Sequence, residues 1–80
     1  MDRASILETI IRLVSETLEA DPESITEETS FDDLDADSFD KLELVTAMED
    51  EFDMTLDDEV LTSISTVGEA ADAIEAASQN

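Results

Sequence analysis

The sequence contains no cysteine and no histidine. Those two absences together remove disulfide staples, thiolate nucleophiles, imidazole bases and the usual zinc sites. Tryptophan and tyrosine are missing as well, and glycine and proline occur once each. With glycine so scarce and no apolar/polar alternation, nothing points to hairpins or a sheet. No apolar run approaches the roughly 20 residues that cross a bilayer. The N-terminus lacks the basic-then-apolar order of a secretory leader. The expectation is a soluble, cytoplasmic protein with no stable membrane association.

Positive charge is the other scarcity. Arg3, Arg12 and Lys41 stand against 24 acidic residues, for a formal net charge of -21. A surface of that sign repels nucleic acid and anionic membranes, and it calls for partners with basic patches. High charge with few aromatics borders on disorder. A hydrophobic content of 41% argues for a fold, because it is arranged periodically. A chain of 80 residues has room for a single domain, residues 1–80. A domain this small buries only about 60% of the surface its unfolded chain exposes, so its margin of stability is thin.

Apolar residues at Leu7, Ile10, Ile11, Val14 and Leu18 have helical spacing and predict a helix over Ser5 to Glu19. Ser5 and Glu8 fit a capping box, so the helix starts there or a few residues earlier, and Asp21-Pro22 stops it. Residues 21–37, "DPESITEETSFDDLDAD", read as a long loop. Ile25, Phe31 and Leu34 look like its anchors to a core, and ordered loops of this length are often functional. A second helix is predicted from Ser38 to Glu51, with Leu44, Val45, Met48 and Phe52 on its buried face. Phe39 and Leu42 fall off that face, towards Glu43, Glu49 and Asp50. Spacing leaves open whether they widen the core or form a partner surface. Leu56, Val60, Leu61 and Ile64 suggest a short helical turn near Asp58 to Ser63. A last helix starts at the capping box Thr66-Val67-Gly68-Glu69, and the final "AASQN" is expected to fray. The predicted fold is all-α: a small four-helix bundle, three longer helices and one short, with a long loop between the first two.

The acidic text around Ser38 allows three chemistries. Asp33, Asp35 and Asp37 alternate like the first ligands of an EF-hand loop. The sixth and twelfth positions hold Ser38 and Leu44 where glycine and glutamate are required, so that reading fails and no metal site is assigned. A serine nucleophile needs an adjacent base. The one lysine, Lys41, is expected to point to solvent, so no catalytic residue and no enzyme activity are expected. The third option is modification. With Asp37 as N-cap and Asp40 at the third helical position, Ser38 keeps a free hydroxyl at a helix N-terminus, where a phosphate ester is well placed. The competing arrangement has Ser38 itself as the cap, which helix propensities slightly favour.

The segment "FDDLDADSFDKLELVTAMEDEFDMTL" resembles acyl carrier proteins, whose hallmark is D-L-G-A-D-S-L followed by an acidic, apolar helix. The likeness runs over nearly the whole chain, from the opening helix to the helix after "STVG". It implies that Ser38 carries 4'-phosphopantetheine, placed there by a phosphopantetheinyl transferase from coenzyme A. The sulfur that the chain lacks would then come from the prosthetic group, whose thiol holds acyl intermediates between fatty-acid biosynthesis enzymes. The same likeness makes Asp37, Glu43, Glu49 and Asp50 docking residues for basic partner surfaces, and Thr46 and Phe39 contact positions beside Leu42. It also implies an acyl pocket among Leu44, Met48, Leu56, Ile64, Val67, Ala70, Ala71 and Ile74, in a monomeric carrier. Four positions leave the family's usual text: Asp35 for glycine, Phe39 for leucine, Thr46 for methionine and Asp57 for proline. They bear on partner identity more than on the modification. A specialised polyketide, peptidyl or D-alanyl carrier is the alternative, and an acidic cation-binding or interaction module a more distant one.

The charge generates a first prediction. Screening of self-repulsion raises the melting temperature as salt or millimolar divalent cations are added. Thermal denaturation followed by circular dichroism checks this, and a melting temperature flat in salt contradicts it.

Overall fold

The computed structural model describes residues 2–78, and it is helical. Helix α1 spans Arg3–Leu18, α2 Ser38–Phe52, α3 Asp58–Ser63 and α4 Val67–Ser78. Among the described residues the one extended pairing is an isolated antiparallel bridge, Ser30 to Thr66.

Helix α1 takes the earlier of the two starts that the Ser5/Glu8 pattern allows. Asp2 is the N-cap, and the Ser5 amide donates to its Oδ1 at 2.8 Å. Ser5 is therefore the third helical residue, because the acidic side chain before it reaches the orphan amides first. That hydrogen bond holds the Asp2 carboxyl below its ordinary range. Its contribution to stability is complete above the unfolded carboxylate value and is lost as pH falls through the lower folded one. The helix also ends before Asp21-Pro22. Glu19 turns left-handed at φ 55°, and the Ser15 hydroxyl donates to the Ala20 carbonyl at 2.7 Å. Pro22 instead opens a 3₁₀ turn over Pro22–Ser24, capped by Asp21.

The buried stripe of α1 is Ile6, Ile10, Leu13 and Val14, with Leu7, Ile11 and Leu18 along its margin. The expected stripe was rotated from this one, because α1 packs against both α2 and α4 and buries the arc between them. Leu44, Val45 and Met48 of α2 join this core, and Phe52 borders it. From α4 come Val67, Ala70, Ala71 and Ile74, whose small side chains let the helix axes approach. Ile25 and Phe31 are buried in the same core, Leu34 half-buried against it, and Ala36 is a buried loop residue the sequence pattern passed over. No polar or charged side chain among the described residues is buried.

The long loop is tied to the start of α4. The Phe31 amide donates to Ser65 O at 2.9 Å, and the Val67 and Gly68 amides donate to Thr29 O and Glu27 O. Two orphan amides of the α4 N-terminus are thus satisfied by loop carbonyls. The Glu69 amide donates to the Thr66 hydroxyl, and the Glu69 carboxylate accepts from the Thr66 and Ser65 amides, so this capping box forms as read. The one glycine sits at this seam. A Cβ on Gly68 would lie 3.0 Å from Glu27 O. Helix α4 runs on to Ser78 where fraying was expected, and Gln79, Asn80 and the Leu61 side chain lie outside the described residues.

Two of the three cations are spent on tertiary ties. The Arg3 guanidinium meets Glu27 of the loop at 2.7 Å and Asp72 and Glu75 of α4 at 2.8 and 2.9 Å. Its hydrogen bonds to the carboxylates of Glu75, then Glu27 and Asp72, hold it firmly protonated. Arg12 pairs with Glu16 on its own helix and with Glu51 of α2. Single exposed pairs contribute little. Removing Arg3 differs, because it leaves three carboxylates facing one another. Arg3→Gln lowers the melting temperature by several degrees at low ionic strength, and added salt narrows the loss. Paired melts of both proteins across a salt series check this; equal losses at all salt concentrations exclude the charge account.

Candidate functional site

The site lies where the long loop turns into α2. Phe31 is buried, and the Ala36 amide donates back to Phe31 O at 3.0 Å, closing a short loop over the 3₁₀ turn Asp32–Leu34. Closure needs one left-handed residue, and Asp35 supplies it at φ 60°, ψ 28°. Aspartate enters this region more readily than most residues, with glycine the natural occupant.

The chain then enters α2 through a reciprocal capping box. The Asp40 amide donates to Asp37 Oδ1 at 2.9 Å, and the Asp37 amide donates to Asp40 Oδ2 at 3.4 Å. This decides between the two caps that the sequence allowed: Asp37 takes the role. Ser38 is the first helical residue and is exposed, and its hydroxyl makes no hydrogen bond among the described residues. An ester on that oxygen would project from the positive end of α2 without displacing a structural contact. The hydroxyl also has no imidazole or carboxylate bonded to it to act as base. No three carboxylates among the described residues are arranged to hold a metal ion.

Next to Ser38, Phe39 and Leu42 are 65% and 50% exposed, so they do not widen the core. Asp37, Glu43, Thr46 and Asp50 are exposed on the same helix or at its cap. Glu49 departs from this group. It is half-buried, and its Oε2 accepts the Leu56 amide at 2.7 Å, fixing the chain that leads into α3. A glutamate seven residues before an otherwise uncapped segment is a signal too weak to read from sequence.

Lys41 also departs from expectation. It is half-buried and does not simply point to solvent. It precedes Val45 by four and Met48 by seven residues, on the side of α2 that carries its buried stripe.

The eight residues expected to form an acyl pocket share one core, each at most 8% exposed. They are closely packed. Of the eight, Leu56 lines a surface cleft of about 390 Å³ with Val60, Ala73 and Ala77, and Ile64 lines a second of about 330 Å³. The other six touch neither cleft.

Known proteins match this arrangement. Residues 8–74 match the family described as "phosphopantetheine attachment site". The chain is 52% identical over 68 residues to an acyl carrier protein of Caulobacter vibrioides, covering 84% of this chain and 87% of that one. It is 50% identical over 68 residues to an acyl carrier protein of Phenylobacterium zucineum, covering 84% and 86%. Among solved structures, an acyl carrier protein of Thermotoga maritima superposes with a TM-score of 0.85 at 30% identity, covering 99% of this chain and 93% of that one.

The left-handed Asp35 gives a prediction for the approach to α2. Asp35→Ala destabilises by about 1 kcal/mol, and Asp35→Gly is neutral or stabilising. Urea denaturation of the three proteins checks the order; alanine as stable as glycine contradicts it.

Proposed function

The chain belongs to the acyl carrier protein family, and on that premise we propose that Ser38 is the attachment point of its prosthetic group. Members of the family are carriers and not enzymes, and the group they bear is covalently attached 4'-phosphopantetheine. When bound, that group supplies a terminal thiol that holds acyl chains as thioesters. The observation that carries the reading is the exposed, unbonded hydroxyl of Ser38 beside a completed Asp37/Asp40 cap. The helix start is finished without Ser38, so the serine is free to be esterified.

We read residues 1–80 as one carrier domain, a four-helix bundle with a short third helix, that works as a monomer. Its partners are a phosphopantetheinyl transferase, which takes the group from coenzyme A, and the acyl-transferring enzymes of fatty-acid synthesis. Exposed Asp37, Glu43 and Asp50 lie on the same helix as Phe39 and Leu42 or at its cap, which suits a basic surface with an apolar socket. Such docking speeds encounter and fixes orientation more than it adds affinity, as a shuttle requires. The docking role expected of Glu49 is the weaker one, because its carboxylate is engaged with Leu56. Acyl chains enter by loosening the packed core around Leu44, Met48 and Ile74, where the flexible methionine can repack. Phe39, with its larger exposed ring, favours a second reading: a specialised carrier with its own synthase.

Incubation with coenzyme A and a broad-specificity transferase adds one phosphopantetheine mass to the protein and none to Ser38→Ala. Intact-mass spectrometry checks this; no gain, or a gain that survives the substitution, sinks the proposal.

A further inference from the structure

The three cations of the chain have different circumstances. Arg3 is committed to Glu27, Asp72 and Glu75, and Arg12 to Glu16 and Glu51. Lys41 has no ion pair among the described residues, in a chain with 24 acidic side chains. It is also half-buried, so its stem lies on the protein and does not swing freely. Its position is one helical turn after Ser38.

Esterifying Ser38 places a phosphodiester, with its negative charge, among Asp35, Asp37 and Asp40. Asp37 and Asp40 are engaged in their mutual capping bonds. The helix N-terminus offsets part of that repulsion. Residues three apart on a helix have Cβ atoms about 5–6 Å apart, within reach of a lysine ammonium on its four-carbon stem. Resting on the Ser38 reading, we propose that Lys41 is a positioning residue for the prosthetic group. Its ammonium pairs with the phosphodiester on Ser38 and holds the start of the arm against α2, on the side that carries Val45 and Met48. The half-buried stem, the missing partner and the one-turn spacing each suit that role.

Because Lys41 is the one lysine, a protein labelled with 13C at the lysine ε-carbon gives a single, self-assigned side-chain signal. Apo and transferase-loaded protein are compared, with intact mass recorded first. Modification shifts the Lys41 ε signal, and raising the salt moves it back towards the apo position, as a screened ion pair requires. The 31P resonance of the loaded protein moves in Lys41→Gln and is retained in Lys41→Arg. Loading changes the melting temperature of the wild type more favourably than that of Lys41→Gln, by about 2 °C at low salt. A loaded protein whose Lys41 signal stays at its apo position overturns the pairing and leaves the Ser38 reading intact. So does a Lys41→Gln protein that loads more slowly yet shows an unchanged 31P resonance, since the lysine then serves the transferase. Absence of any mass gain overturns the Ser38 reading and the pairing together.

Discussion

Like-charge repulsion is the constraint under which the rest of this structure is arranged. With a formal net charge of -21 on 80 residues, every element carries acidic side chains. The described residues respond in two ways. The core is purely apolar, with no polar or charged side chain buried, so its hydrophobic gain is not offset by desolvation of charge. Arg3 and Arg12 are placed where they join separate elements: α1 to the loop and α4, and α1 to α2. The same repulsion makes the surface a poor ligand for anions and a good one for basic proteins.

Acidic side chains are also the structural joints of this fold. Asp2 starts α1, Asp21 a 3₁₀ turn and Asp37 α2, each through a carboxylate on a backbone amide. Glu69 completes the start of α4, and Glu49 fixes the approach to α3. Carboxylates at helix starts meet both orphan amides and the positive end of the macrodipole. Asp35 and Asp37 work in sequence: the left-handed turn at the first lets the second swing in as cap, which leaves Ser38 outside with its hydroxyl open. The site is thus a consequence of local backbone chemistry, two residues deep.

Much of this was legible in the sequence because periodicity and capping are local. The inner face of α2, the Thr66/Glu69 box and the anchoring of Ile25 and Phe31 all rest on spacings of a few residues. The exposure of Phe39 and Leu42 is not legible in this way, since position on a helix does not say how wide its neighbours are. Tertiary choices were harder to see. The rotated stripe of α1 depends on which two helices flank it. Glu49 reaching Leu56, and Glu27 O reaching Gly68, join residues that no local pattern connects. Lys41 is a related case: its charge reads as solvated, while its place on the inward side of α2 half-buries its stem.

The central claim is that this chain acts through a group esterified to Ser38. The most direct test is the intact mass of the protein taken from its own cells, followed by proteolytic mapping. The account predicts a mass above that of the bare chain by one phosphopantetheine, with or without an acyl group, confined to the peptide that contains Ser38. An unmodified protein, or the added mass on any other peptide, would contradict it.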